Sequence, residues 1–250
     1  MRAVGLCVLA TVVFLGTLVL RVPLDRVHPW LPDGLQNGLR FVGSVSDGSV
    51  LGVRTGGGPL DADWVLQPQA LLRGQLGADV DFVLNREIEG ASRVSLGLGR
   101  VLTVQDLRLA ADANALDALV LPGILRFGGG VRLNIERAEI AQSQYGPAVG
   151  VVSWSGASVT GQIAVSLGDV RLTLTEVDGG TRADISNSGG EIALSGTATL
   201  TTDGAYQTDV VAVPTAAASP NVVFTLQNIA QAESANRFRI RQSGTLADVL

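Results

Sequence analysis

The sequence offers few residues whose types and spacing could support catalysis or metal binding. It has one His, His28, and one Cys, Cys7, and all 18 of its basic residues are Arg. Without Lys, a Walker A phosphate loop, a Ser-Lys dyad and a Schiff-base lysine are excluded. One His and one Cys cannot build a His-Glu-x-x-His zinc site or a zinc ribbon. We therefore expect no enzyme activity and no catalytic, cofactor-binding or metal-ligating residue.

The carboxylates are the strongest remaining candidates for chemistry. Asp61 and Asp63 have i, i+2 spacing, and so do Asp79 and Asp81. On a strand this spacing places each pair on one face. Solvation is the default for such pairs, and a calcium site or a glycosidase carboxylate pair is the alternative. The pattern predicts a solvated acidic face.

Several other residues that could bind a ligand have structural explanations. Arg237, Arg239 and Arg241 alternate with apolar residues, which predicts a basic outward face in contact with solvent, an acidic partner or phospholipid headgroups. Glycine runs at 56–58 and 128–130 do not fit Gly-x-Gly-x-x-Gly, so both are interpreted as loops.

The two residues with the most reactive side chains fall in or beside an apolar segment. His28 lies next to Pro29 and close to Trp30, a setting typical of the membrane interface rather than of a catalytic base. Cys7 follows Leu6 and precedes more apolar residues, which favours a cysteine packed in a membrane helix over a lipoprotein site.

The apolar segment comprises residues 3–20 and contains no charged residue. Eighteen residues in a helix span about 27 Å, close to the hydrocarbon thickness of a bilayer. A cleaved signal peptide would have a shorter apolar region and a small-x-small site, which residues 18–22 do not supply. The sequence predicts an uncleaved transmembrane helix over residues 1–22, with a short N-terminal tip inside and residues 23–250 exported.

The composition limits which partners the exported part can bind and what kind of sheet it can form. The net charge of -5 argues against nucleic acid as a partner, because phosphate binding needs a basic surface. Aromatic residues make up only 4% of the chain, whereas Gly is present 31 times. Thin side chains and many glycines favour a strongly twisted or curved sheet.

The dominant apolar period is two, as in Val131, Leu133 and Ile135. Gly168-Asp169 is interpreted as a two-residue turn, because the apolar phase changes there. Predicted strands lie at 39–46, 49–54, 63–66, 77–85, 92–98, 102–110, 149–153, 163–167, 170–174, 181–186, 191–200, 206–213, 222–227 and 237–244. Short helices are predicted at 24–31, 112–120 and 229–235.

Together these patterns predict an all-β fold: a long, curved antiparallel meander with one apolar face, either groove-like or an open sandwich, plus one or two short helices. Gly43-Ser44-Val45-Ser46 loosely parallels Gly150-Val151-Val152-Ser153. This similarity suggests two similar halves, at about 37–121 and 122–250.

Several segments in order carry a family resemblance. They are Trp64-Val65-Leu66-Gln67-Pro68-Gln69-Ala70-Leu71-Leu72-Arg73-Gly74, then Ser153-Trp154-Ser155-Gly156-Ala157, then the stretches from Leu167 to Tyr206 and from Asn236 to Leu246. Together with the N-terminal anchor, they resemble protein N of the bacterial type II (general) secretion pathway over nearly the whole chain. One departure is Leu51-Gly52-Val53, where the family pattern has a Trp.

The resemblance implies a single-pass inner-membrane protein whose bulk is periplasmic and which takes part in export of folded proteins across the outer membrane. It implies no catalytic residues and no cofactor. The implied partners are other type II secretion components, namely the inner-membrane platform, the pseudopilus or the secretin, and the inner membrane itself. An alternative from the residue pattern is a periplasmic lipid- or lipoprotein-binding module, because a curved sheet with an uncovered apolar face forms a groove.

Overall fold

In a computed structural model, the chain forms one antiparallel sheet of 14 strands. The structure describes residue 23 and residues 40–55, 58–116, 125–141, 144–161, 164–234 and 236–245. The predicted transmembrane helix over 1–22 and the predicted helix over 24–31, apart from Pro23, lie outside these residues. Among the helices that are described, none is long and apolar enough to cross a bilayer.

The strands follow one another along the chain as a meander. They are β1 (Arg40–Gly43), β2 (Asp47–Thr55), β3 (Gly58–Leu66), β4 (Gln75–Leu84), β5 (Ile88–Gly97), β6 (Leu102–Asp112), β7 (Arg126–Ala141), β8 (Gln144–Thr160), β9 (Ala164–Val177), β10 (Gly180–Ser188), β11 (Ile192–Thr201), β12 (Ala205–Pro214), β13 (Gln231–Ser234) and β14 (Arg237–Thr245). Each strand pairs with its successor, except that β14 pairs with β12 and leaves β13 at the edge. The all-β antiparallel prediction is confirmed as an open sheet.

Short glycine-containing turns make this meander. Gly179 has φ +84° between β9 and β10, and Gly204 has φ +87° between β11 and β12. These backbone angles favour glycine, and two- to three-residue connections force neighbouring strands to be antiparallel. The turns predicted at Asp178-Gly179-Gly180, Ser188-Gly189-Gly190 and Asp203-Gly204 are therefore confirmed.

The turn predicted at Gly168-Asp169 is wrong, because β9 continues through it. Ala157 pairs with Gly168 but Ser158 pairs with Ser166, so β9 carries one extra residue at this point. Such a bulge shifts the period-two pattern by one residue while the apolar side chains stay on the same face. A bulge and a turn produce the same change of phase in sequence, and only the pairing distinguishes them.

Two bulges in separate parts of the sheet share one construction. In β2, two residues, Leu51 and Gly52, stand opposite the single residue Asp61 of β3. The regular pairs on either side are Val50 with Ala62 and Val53 with Leu60. In β8, Ser155 and Gly156 bulge in the same way opposite β9. Both glycines have positive φ, +77° and +60°. A local kink of this kind bends a strand and increases its twist.

The helices correct two further predictions and confirm part of a third. The strand predicted at 222–227 is instead α2 (Pro220–Ile229), preceded by α1 (Pro68–Leu71), which was not predicted. Pro220 follows Ser219 at the first helical position, which favours helix initiation. Most of the segment predicted as a helix at 229–235 is not helical, because Gln231–Ser234 form β13. Within the predicted helix 112–120, Asp112 ends β6, a 3-10 helix covers Ala113–Leu116, and residues 117–120 are not described.

A compact apolar core lies where α2 covers one end of the sheet. Val222 and Leu226, one turn apart on α2, are buried against Ile192, Ala212 and Phe238 of three strands. Phe238 is 1% exposed. Complete burial of each large side chain contributes roughly 1.5–3 kcal/mol, so this contact fixes α2 to the sheet.

Candidate functional site

The two faces of the sheet differ in character along its whole length. Directly paired residues lie on the same face of an antiparallel sheet. One row of directly paired residues runs across five neighbouring strands, β4 to β8. In strand order, its residues are Phe82, Gly90, Leu109, Leu133 and Val152. The neighbouring rows bear Asp, Arg, Ser and Thr. We refer to these as the apolar face and the polar face, and their alternation was predicted from the sequence.

The apolar face is only partly covered. α2 buries one end, but Phe82, Leu109, Leu133 and Leu172 in the middle strands are half-buried. Phe82 lies against Gly90 on β5, at a spot where a Cβ atom would overlap the ring. Phe238 and Val222 are the largest fully buried side chains among the described residues, and both lie beneath or on α2. The middle of this face is therefore a mixture of buried residues, such as Val131 and Ile135, and half-buried ones, such as Leu109 and Leu133.

Near β10 the sheet curves over its own apolar face. The backbone N–H of Ala148 on β8 donates to the hydroxyl of Thr181 on β10 at 2.8 Å, across the intervening β9. The N–H of Tyr145 donates to the carbonyl of Thr202, beyond β11, at 2.9 Å. Contacts between strands that are not neighbours require curvature toward the apolar side. The sequence analysis left a groove-like sheet and an open sandwich as alternatives, and the structure shows an open antiparallel sheet.

The other ends of the long strands bend in the same direction. Val165 and Leu167 of β9 pack against the α2 core, although β9 is separated from β11 by β10. Glu191 fastens this bend, because its carboxylate accepts the N–H groups of Ser166 and Ser219, each at 3.0 Å. These two hydrogen bonds lower the pKa of Glu191. Sequence reasoning did not identify Glu191, since the groups it joins lie 25 and 28 residues away.

The four predicted carboxylates are on the polar face but do different things. Asp63 lies directly opposite Asp81, and both are exposed. Asp61 accepts the N–H of Gly52 at 2.7 Å. Asp79 accepts hydrogen bonds from Gln67 at 2.6 Å and from Arg93 at 3.1 Å. Asp61 and Asp79 are thus structural acceptors, a role that spacing alone did not reveal.

Asp63 and Asp81 border a concavity of about 630 Å³ on the polar face of β3–β7. Arg108 and Arg132 border it from β6 and β7. Among the described residues, no cluster of His, Cys, Asp or Glu could hold a metal ion. The arrangement can present opposite charges to a polar partner.

The arginine row on β14 forms an ion-pair network rather than a freely available basic face. Both carboxylate oxygens of Asp209 accept from Arg239 at 2.6 Å, and Glu233 accepts from Arg239 at 2.8 Å. Hydrogen bonds from Arg239 lower the pKa of Asp209 and of Glu233. Arg237 and Arg241 add one ion pair each. The prediction of one common face is confirmed, and the partners are residues of the chain itself.

The remaining sequence candidates have no reactive role in the described structure. The run at 128–130 was interpreted as a loop but lies in β7, where Gly129 has φ +101° and Trp154 donates its indole N–H to the carbonyl of Gly128 at 2.9 Å. Gly58 begins β3, while residues 56 and 57 lie outside the described residues. Cys7, His28 and Trp30 also lie outside them.

Comparisons with known proteins agree with the family resemblance. The family model described as type II secretion system (T2SS), protein N matches residues 40–241, from β1 into β14. The chain is 27% identical over 252 residues to the type II secretion system protein N of Vibrio cholerae serotype O1 (strain ATCC 39315 / El Tor Inaba N16961). That alignment covers 98% of this chain and 99% of the relative. No solved structure matches.

Proposed function

This chain belongs to the type II secretion system protein N family, and we propose that it is a non-enzymatic component of that system in the bacterial inner membrane. Residues 1–22 would form a single-pass anchor, and residues 23–250 a periplasmic domain. It would support export of folded proteins through the periplasm and outer membrane by protein–protein interaction. Support comes from the match over nearly all of the sheet and from the uncharged residues 3–20.

The observation that carries the interaction mechanism is the difference between the two sheet edges. An edge strand offers a row of backbone groups to a strand from another chain. At one edge, β13 has four residues and a register shift, and its Glu233 pairs with Arg237 and Arg239. Short, irregular and charged edge strands oppose strand addition. This edge is protected.

The opposite edge strand is equally short, with four residues, but it has no register shift and no ion pair between described residues. β1 (Arg40–Gly43) pairs in regular register with β2, and Val42 is 58% exposed. Among the described residues, β1 pairs with β2 only as far as Leu51. We therefore place strand addition by a secretion partner at the β1–β2 edge. The candidate partners are the inner-membrane platform, the pseudopilus and the secretin.

Photo-crosslinking in cells tests this proposal. A photo-activatable amino acid replaces Val42 in the tagged full chain, and the matched control carries it at Ser186, an exposed residue in the middle of the sheet. We expect Val42 to crosslink to a secretion component and Ser186 not to. Equal crosslinking from Ser186 would refute the edge mechanism. If neither variant crosslinks to a secretion component and none co-purifies with the tagged chain, the proposal that this protein works as a component of the secretion system is refuted.

The apolar face favours a second function, a periplasmic groove for a lipid or lipoprotein acyl chain. From β8 to β11 the sheet curves toward this face, on which leucines such as Leu172 are half-buried, and this combination suits an acyl chain. Native mass spectrometry of the purified full chain would then show bound phospholipid. Leu133→Glu should remove it, whereas Asn134→Glu on the polar face should not. A chain that carries no lipid, or that loses it equally in both variants, contradicts this function.

A further inference from the structure

We infer that the end of the sheet bearing the β3–β4 and β5–β6 connections lies on the surface of the phospholipid bilayer. Both connections expose leucines that no described residue covers. Leu72 is 90% exposed, and Leu98 is 91% exposed. A globular surface normally shields such side chains, and adjacent exposed leucines indicate an interaction site.

The two exposed leucines belong to one continuous apolar patch. The ideal Cβ position of Gly74 lies 3.4 Å from a methyl carbon of Leu98, so the two connections are in contact. Directly below them, Leu76 pairs with Leu96, and these are 55% and 43% exposed. The row continues through Leu102 to Ile140, which is 47% exposed. The patch therefore extends across four strands at this end.

Charge indicates what covers the patch. Arg73 directly follows Leu72, and Arg100 lies two residues after Leu98. Residues 67–74 and 98–101 contain no Asp or Glu, in a chain of net charge -5. Neither arginine has an ion pair with any described residue. Leucines beside cationic side chains are typical of a surface that enters the headgroup region of an anionic membrane.

The path of the chain places the same end near the membrane. Pro23 forms an isolated antiparallel bridge with Ser44, in the turn between β1 and β2. This turn lies at the end of the sheet that holds the β3–β4 and β5–β6 connections. Only Arg21 and Val22 lie between Leu20, which ends the uncharged segment, and Pro23, and these three steps along the chain span at most roughly 10 Å. If residues 3–20 cross the bilayer, as the proposed function requires, this end must face it.

Charge also limits the contact to the connections near β3–β6, because Asp47, which follows the β1–β2 turn at the same end, is exposed. The turns at the same end between later strands carry Asp178 and Asp203, both exposed. Carboxylates are repelled by anionic headgroups. The contact therefore involves the connections near β3–β6, which lie about three or four strand spacings, or roughly 15–20 Å, from the Pro23 bridge.

Fluorescence quenching by brominated lipid tests this inference in the full chain. In a Cys7→Ser background, Leu72→Cys, Leu98→Cys and Phe224→Cys each carry one environment-sensitive dye. Phe224 is the matched control, because it is 66% exposed on α2 at the opposite end of the sheet. Each protein is placed in nanodiscs of phosphatidylethanolamine and phosphatidylglycerol, with or without brominated acyl chains. Co-elution with the nanodisc reports the anchor separately.

We expect brominated lipid to quench the dyes at 72 and 98 and to leave the dye at 224 unchanged. Adding Arg73→Gln and Arg100→Gln should reduce the quenching at 98. Co-elution without quenching at 72 and 98 overturns the inference but leaves the anchor intact, and a partner protein would then be the occupant. Equal quenching at all three sites also overturns it. Failure to co-elute overturns the proposed anchoring, and the inference with it.

Discussion

The paired bulges provide the sharpest test of how this sheet keeps its shape. Gly52 donates its N–H to the carboxylate of Asp61 at 2.7 Å, and Gly156 donates to Asp169 at 2.8 Å. In each case the acceptor is on the strand opposite the bulge. The bulge leaves this N–H without its normal ladder partner, and the carboxylate replaces that partner. We expect Asp61→Ala and Asp169→Ala to destabilise the protein similarly.

The expected size follows from the type of bond and its exposure. Hydrogen bonds to a charged group contribute about 1.5–3 kcal/mol. Both sites are open to solvent in part, so water can replace some of the lost bond, and we expect about 1–2 kcal/mol per substitution. For a folded domain of this size, that corresponds to a fall in Tm of about 2–8 °C.

Thermal unfolding of the full chain, followed by tryptophan fluorescence, measures this effect. Trp154 immediately precedes the second bulge and therefore reports on it directly. Asp63→Ala is the matched control, because Asp63 lies on the same face of the same strand as Asp61, is exposed and accepts no hydrogen bond from a described residue. Its Tm should change by less than about 1–2 °C.

The double variant Asp61→Ala/Asp169→Ala should show additive losses, within about 0.5 kcal/mol, because the two bulges are several strands apart. The reasoning is refuted if Asp63→Ala costs as much as Asp61→Ala, or if neither bulge substitution lowers Tm. A loss at only one bulge would count against our proposal that 37–121 and 122–250 are similar halves.

Three other substitutions, with Phe224→Ala as a control for the first, test the core, the ion network and the close packing of the sheet. Phe238→Ala should lower the free energy of unfolding by about 3–5 kcal/mol, and Phe224→Ala by less than about 0.5 kcal/mol, in urea titrations. A hydrogen bond from Arg239 lowers the pKa of Asp209 below its ordinary value of 3.8. The ionised carboxylate therefore stabilises the fold at pH values above 3.8, and this stabilisation is lost as the pH falls through the pKa of the folded state. Asp209→Asn should therefore flatten the fall in Tm measured from about pH 6 to about pH 3, and an unchanged slope would contradict the pairing. Gly90→Ala should displace the ring of Phe82, which lies over Gly90, and lower the free energy of unfolding by about 1–3 kcal/mol. A variant as stable as the wild type would show that the ring is not held at this position.

The sequence predicted most of the strands because period two is a local signal. Val131, Leu133 and Ile135 alternate with polar residues, and this alternation alone assigns each side chain to a face. Glycine-containing turns are also local, so the order of the meander could be predicted. The carboxylates at 61 and 63 were correctly placed on one face by the same rule.

The errors share a cause, which is that the deciding contacts are remote in sequence. Residues 222–227 alternate well enough to be a strand, but α2 forms because Val222 and Leu226 reach Phe238 and Ala212 across the sheet. The bulge in β9 was mistaken for a turn because both change the apolar phase. The roles of Asp61 and Glu191 depend on N–H groups that only the folded sheet brings near.

By itself, then, the sequence determined an acidic, glycine-rich, antiparallel meander with one apolar and one polar face, and its motifs identified the family. These properties follow from local backbone preferences and from composition. The tertiary structure decided where the sheet bends, which end α2 covers, which edge is protected by charge and where Gly74 meets Leu98. Those features depend on strand register and on contacts between distant segments, where small differences in packing free energy select one arrangement among many with the same local pattern.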